Sequence, residues 1–228
     1  MEYKNYITCF AYRSKKVLEK FSACDATNEL NVTALLSVAA SAFVIPFERL
    51  KKDHPFGDGA AFSEIGTKVK GVLEINFGDS DFFESAKFKI KLLSKEQLLK
   101  KEFDNSFEDI YLKDKKVQFI IDIIRNAFAH GNIYSCSKLG PNHHIDTLYF
   151  VSKNNNDKDA FYSALDEYKA SEATSKTQKC KIYNAYIKNR QSIKTLNAVE
   201  CSVEDFRTFL YKWIDLLSSA SETPKENC

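Results

Sequence analysis

Val117–Asn132 reads VQFIIDIIRNAFAHGN. Val117, Ile120, Ile121, Ile124 and Phe128 fall at i, i+3, i+4, i+7 and i+11, one apolar stripe at the period of an α-helix. Gly131 stands where a left-handed residue closes a helix. The spacing therefore predicts a helix over Lys115–His130. Taking the stripe as zero on the helical wheel, at about 100° per residue, Asn126 lies about 180° away, His130 about 220° and Arg125 about 80°. Asn126 and His130 are i, i+4 neighbours, and Arg125 is long enough to swing toward either. With only Ala127 and Ala129 beside them, that face is expected to be uncrowded.

Downstream, Asn132–Ser137 and Ile145–Ser152 are rich in Ile, Tyr, Val and Phe and are separated by Gly140-Pro141-Asn142, the pattern of a β-hairpin. Ser202–Leu217 opens with Ser202-x-x-Asp205, a capping-box variant, and places Val203, Phe206, Phe209, Leu210, Trp213 and Leu217 on one face. Upstream, Val32–Phe47 (VTALLSVAASAFVIPF) is the longest apolar run, shorter than the roughly 20 residues of a membrane span. It reads as a buried helix over about Leu30–Leu50, which Pro46 should kink or end near Ile45. Thr33, Ser37 and Ser41 form a small polar stripe along it that lets a neighbouring helix approach. These three apolar segments are expected to pack together. Further helices are read over Tyr12–Ala23, Ala61–Leu73, Ser80–Leu93, Phe161–Tyr168 and Ile182–Ile193. His54–Gly59 reads as a loop, Lys153–Asp159 as a polar loop and Ala170–Lys179 as a mobile segment.

The 228 residues are 44% hydrophobic and 28% charged, a globular composition. Seven Gly and four Pro are too few for a turn-rich β-sandwich, while eighteen Phe and eleven Tyr supply core bulk. The net charge of +2 excludes histone-like binding and leaves room for a local basic patch. Such a patch is Lys87–Lys101, with six Lys against one Glu. A solvated face is the ordinary reading of it; Lys87, Lys89, Lys91 and Lys95 are the residues placed to track an RNA backbone. The six cysteines form no C-x-x-C pair and MEYKNYITCF has no apolar leader core. They are read as reduced thiols of a cytoplasmic protein.

Arg125, Asn126 and His130 are the residues that carry chemistry. Without a carboxylate the triplet is poorly suited to a divalent metal. It suits a phosphodiester: arginine pairs two-pronged with phosphate oxygens, histidine moves a proton near neutral pH, and asparagine orients a hydroxyl or the imidazole. An ordinary polar face, with a histidine favoured by the helix dipole, has the same spacing. Other candidates are weaker. His143, His144 and Asp146 sit at a turn, His54 in a loop, and Gly57-Asp58-Gly59 lacks the lysine of a phosphate loop. Ser63 and Ser80 lack a nucleophile-elbow context.

Arg125-Asn126-Ala127-Phe128-Ala129-His130 resembles the R-x(4–6)-H motif of HEPN domains, with their typical polar residue after the Arg. LLSVAASAFVIPFERL (Leu35–Leu50), RNAFAHGNIY, LYFVS (Leu148–Ser152) and SVEDFRTFLYKWIDLL are similar to one bacterial, plasmid- and defence-associated HEPN subfamily. HEPN toxins regulated by adenylylation carry a Tyr two residues after the motif His; here that residue is Asn132, and the nearest Tyr is Tyr134. The resemblance implies a predominantly α fold, a HEPN-like helical bundle with a small β-hairpin after the motif helix. We expect a single domain over 1–228, with 51–112 and 153–200 as insertions or extensions and 219–228 as a flexible tail. It implies a metal-independent endoribonuclease, with no cofactor, in phage defence or a toxin-like role. The 2′-OH attacks the adjacent phosphorus, Arg125 holds the phosphate, and His130 moves a proton. Two motifs paired across a homodimer, on a face carrying Ile123, Ala127 and His130, would supply two His and two Arg. The expected partners are RNA, a second copy and an antitoxin or other protein regulator, with no membrane. The alternative is a catalytically silent HEPN-like dimerisation module that binds RNA or a partner protein.

Overall fold

A computed structural model describes residues 6–24, 29–49, 64–82, 87–103, 108–110, 112–137, 144–153 and 195–219. Among them are six helices and five strands: α1 (Tyr6–Cys24), α2 (Glu29–Arg49), α3 (Glu64–Leu73), β1 (Lys89–Ser94), α4 (Lys95–Lys100), β2 (Glu108–Ile110), α5 (Val117–His130), β3 (Ile133–Cys136), β4 (Thr147–Lys153), β5 (Thr195–Ser202) and α6 (Val203–Ser219). The helices read over Phe161–Tyr168 and Ile182–Ile193, most of the Lys153–Asp159 loop and the Ala170–Lys179 segment lie outside the described residues.

The three apolar helices meet as the pattern predicts. Phe43 of α2 stacks on Phe128 of α5 at 6.2 Å and on Phe206, Phe209 and Trp213 of α6 at 6.3, 6.0 and 5.6 Å. The α5 stripe is buried at Val117, Ile120, Ile121 and Ile124, with Phe128 packed against the same core. Ser202 starts α6 as expected, its Oγ accepting from the Asp205 N–H at 3.0 Å.

Pro46 does not end α2. It sits inside a helix that runs on to Arg49. A proline lacks the N–H that would bond the carbonyl four residues back, here Ala42. The Trp213 indole Nε1–H supplies the missing donor, reaching the Ala42 oxygen at 2.9 Å. A neighbouring helix thus satisfies the carbonyl that the proline orphans, and the last turn of α2 persists. Along the same helix, the Ser37 and Ser41 hydroxyls donate back to the carbonyls of Thr33 and Ser37.

The sheet is larger than a hairpin. β3 and β4 do pair antiparallel, with Ile133 opposite Phe150. They form one edge of a five-stranded antiparallel sheet in the order β2-β1-β5-β4-β3. The expectation of a bundle with only a small hairpin is corrected to a helix-rich fold built on this sheet. Ile90, Leu148, Phe150, Val199 and Cys201 face the helices. On the opposite face, Leu93, Tyr149, Val151 and Ala198 form a second core with Phe103 and Leu98.

The helix read over Ser80–Leu93 is likewise corrected. Phe77–Asp79 forms a single 3₁₀ turn, and Lys89–Ser94 is β1. KFKIKLL alternates Lys87, Lys89 and Lys91 with Phe88, Ile90 and Leu92, which is the period of a strand.

Candidate functional site

The motif helix is pinned at both ends. At its start, Val117 N–H donates to the Ile75 carbonyl at 2.9 Å, and Phe77 N–H to Lys115 at 2.7 Å. At its end, Gly131 adopts φ 68°, as its place in the sequence predicts. Gly131 N–H donates to Phe128 at 3.4 Å and Asn132 N–H to Ala127 at 2.9 Å, the two bonds of a Schellman stop. The Asn132 carbonyl then accepts from Val151 N–H of β4 at 3.0 Å. The turn that presents His130 is therefore tied to the sheet.

On this helix His130 and Ala129 are exposed, while Arg125 and Asn126 are half-buried. Asn126 and His130 are one turn apart on the outer side. Arg125 lies toward α2, its Cζ 5.3 Å from the Phe47 ring centroid and its Nε shielded from solvent. Ile123 and Ala127 are not on the open face. Both are fully buried, because α5 is covered by both α2 and the sheet and its buried arc is wider than a single stripe. The open face carries instead Asp122, Arg125, Asn126, Ala129 and His130. Asp122 was missed by the sequence reasoning. Its signal was its spacing, four residues before Asn126 and three before Arg125.

The basic window splits. Lys87, Lys89 and Lys95 are exposed. Lys91 is withdrawn from any RNA contact: its Nζ meets Glu200 at 2.7 Å and donates to the Phe103 carbonyl at 3.2 Å, with its side chain 11% exposed. This buried pair sits on the outer face of the sheet. β1 is also separated from β3, the strand following the motif helix, by β5 and β4.

His144 is exposed and Asp146 half-buried, whereas His143, His54, Gly57-Asp58-Gly59 and Ser63 lie outside the described residues. Ser80 is buried and donates to the Phe77 carbonyl at 2.7 Å, a structural role. Among the described residues no three His, Cys, Asp or Glu side chains gather as a metal-binding group, and no helix is long and apolar enough to cross a membrane. Cys136 and Cys201 are free, as expected; Cys9 is not a free thiol but disulfide-bonded. Burial, together with the Asp205 and Glu200 charges, pushes the Cys201 thiol well above its usual range.

Tyr134 follows the motif on β3, opposite Tyr149, and its ring lies 5.4 Å from Phe103. Strand alternation puts it in the outer core, on the side of the sheet away from α5. Among the described residues, two cavities lie away from this helix. One, about 470 Å³, runs between α1 and α2, lined by Phe10, Val17, Phe21 and the Thr33, Ser37 and Ser41 stripe. The other, about 550 Å³, lies between α6 and the turn after α3.

The chain belongs to the HEPN family. The family model that matches it is HEPN pEK499 p136, over residues 1–169, a stretch that runs from α1 through β4 and contains all of α5. No curated protein matches the chain, and no solved structure does.

Proposed function

We propose that the protein is a metal-independent endoribonuclease. The observation carrying this reading is that Arg125, Asn126 and His130 all lie outside the fully buried arc of α5, a helix fixed at both ends, with Asn126 and His130 on its outer side and Arg125 toward α2. The family adds a class in which RNases are common. Arg125 holds the scissile phosphate and stabilises the charge that grows on its oxygens in the transition state. Asn126 orients the 2′-hydroxyl or the imidazole. His130 takes the proton from the 2′-oxygen or gives one to the leaving 5′-oxygen. The 2′-oxygen bonds to phosphorus as the P–O5′ bond breaks, leaving a 2′,3′-cyclic phosphate and a 5′-hydroxyl. Only RNA carries that nucleophile.

A single imidazole performs one of the two proton transfers. A second copy apposed through Asn126, Ala129 and His130 supplies the other, together with a second arginine. Lys87, Lys89 and Lys95 are retained as weak backbone contacts. We place the activity in bacterial phage defence or a toxin-like role, held in check by an antitoxin or other protein regulator, and in the cytoplasm.

Incubation of the purified protein with total RNA in EDTA tests the reading, with DNA of the same sequence as control. Cleavage of RNA alone supports it. Dimerisation with RNA binding but no cleavage, at any protein concentration, would favour the silent module, a reading helped by the single histidine that one motif helix offers.

A further inference from the structure

The cavity between α1 and α2 has two walls of different make. With Val17 at zero on the helical wheel of α1, at about 100° per residue, Phe10 lies at about 20° and Phe21 at about 40°. These three form a second apolar stripe beside the one that Ala11 and Leu18 bury in the core. Val17 and Phe21 are 40% and 47% exposed. The facing wall is α2, which carries no charged residue from Leu30 to Phe47 and lines the cavity with Thr33, Ala34, Ser37, Val38 and Ser41. Ser37 and Ser41 donate their hydroxyl protons back to the carbonyls of Thr33 and Ser37, at 2.8 and 3.4 Å. Those donors are satisfied within the helix, so covering them costs little. The small side chains of this wall let a third helix come close.

The border of the groove along α1 carries charge of one sign. Lys20 lies at about −60° on the same wheel and Lys16 at about −100°. Both are exposed, with the Lys16 Nζ over the Tyr12 ring, 4.5 Å from its centroid. The acid Glu19 is about 160° away from the stripe, and Lys15, on the far side, is paired with Asp215. From Phe10 to Phe21 the stripe is about 16 Å long, some three turns of helix, the form of a helix-in-groove site. A second copy would bring the same two lysines to this border, where like charges repel. A flat bilayer would touch the exposed tips of Val17 and Phe21 and leave the α2 wall unfilled. The occupant that matches both the apolar walls and the basic border is an amphipathic helix with acidic residues beside its apolar stripe.

We propose that the α1–α2 groove docks an amphipathic helix of a different protein, one that places aspartate or glutamate beside its apolar stripe. The apolar side chains cover Val17 and Phe21, and the carboxylates meet Lys16 and Lys20. The proposal uses no residue of α5 and stands whether or not the protein cleaves RNA.

The test uses the full chain and three synthetic helical peptides of about 14 residues. The first carries a leucine stripe at helical period bordered by glutamates. The second has lysines in place of the glutamates, and the third keeps the glutamates and replaces the leucines by alanine. Fluorescence anisotropy of the labelled peptide reads binding, and circular dichroism checks that each variant is folded. The leucine–glutamate peptide is expected to bind saturably and at least about tenfold more tightly than either of the others. Val17→Asp, with Phe21→Ser as a second variant, should each weaken it about tenfold or more. Lys16→Glu combined with Lys20→Glu should reverse the preference in favour of the lysine-bordered peptide. No saturable binding, binding unmoved by Val17→Asp and Phe21→Ser, or a preference that survives the charge swap overturns the proposal. A light-scattering mass that falls from dimer to monomer in Val17→Asp would assign the groove to a second copy. Capture of the wild type and not of Val17→Asp by vesicles of phosphatidylcholine and phosphatidylglycerol would assign it to a membrane, and either result overturns the proposal as well.

Discussion

His130 is exposed and contributes nothing to the core, whereas Arg125 is half-buried against Phe47. The two residues therefore differ in what their replacement should do. His130→Ala should abolish cleavage and leave the melting temperature within the range of a surface change, about ±0.5 kcal/mol. Arg125→Lys should also lose cleavage, since an ammonium does not reproduce the planar two-pronged grip on phosphate. Activity and melting measured on the same preparations check both; a His130→Ala protein that still cuts would remove the histidine from the mechanism. A second residue-scale prediction concerns the free thiols. Cys201 is buried and its ionisation is pushed upward, so a thiol reagent at pH 8 should label half-exposed Cys136 in the native protein and reach Cys201 only after unfolding. The raised folded value means that the neutral thiol is favoured in the fold. Above the ordinary value of 9.0 the unfolded chain ionises first, and stability should fall with further rise in pH. At this scale the sequence was informative about Arg125, Asn126, His130 and Gly131, whose spacing sets their places on one helix. It misplaced Lys91 among the lysines expected to track RNA, because a lysine's burial depends on a carboxylate more than a hundred residues away, Glu200.

Among the elements, α2 and α6 depend on each other through one hydrogen bond. Trp213→Ala should cost about 3–5 kcal/mol, the usual loss for a large buried aromatic. Trp213→Phe keeps most of the ring stack on Phe43 and leaves the Ala42 carbonyl without its donor, which should cost about 1–3 kcal/mol. Pro46→Ala restores a backbone N–H four residues after Ala42. In that background the cost of Trp213→Phe should shrink, giving a coupling on the order of 1 kcal/mol in a double-mutant cycle. Equal costs in both backgrounds would show that the indole is not standing in for the missing N–H. The stripes of α5 and α6 were legible because each helix buries one face. The α2 helix was found by its length and apolar content, but its passage through Pro46 was not, since the compensating donor comes from the other end of the chain. β1 was misread because its six-lysine window drew attention to charge and away from the alternation of Phe88, Ile90 and Leu92. β5 was missed for a different reason. As the central strand it is buried on both faces, so TLNAVECS shows no alternation, and it carries polar Asn197 and Glu200 inside.

For the molecule as a whole, the family match ends before β5 and α6, yet those elements complete the fold. β5 pairs with both β1 and β4, and α6 brings Phe206, Phe209 and Trp213 to the core. A chain truncated at residue 194 should therefore show no cooperative melting transition by circular dichroism. Retention of a sharp transition would mean that residues 6–153 form a self-sufficient unit. The composite site calls for a dimer, so light scattering on the eluted peak should give about twice the 26.1 kDa of one chain, and a clean monomer at micromolar concentration would remove the second histidine. The central claim is the chemistry, and the ends of the cut RNA test it most directly. Digestion in EDTA followed by end-group analysis should give 2′,3′-cyclic phosphates and 5′-hydroxyls. A 3′-hydroxyl with a 5′-phosphate, produced only when magnesium is added, would contradict the account even if Arg125 and His130 proved essential.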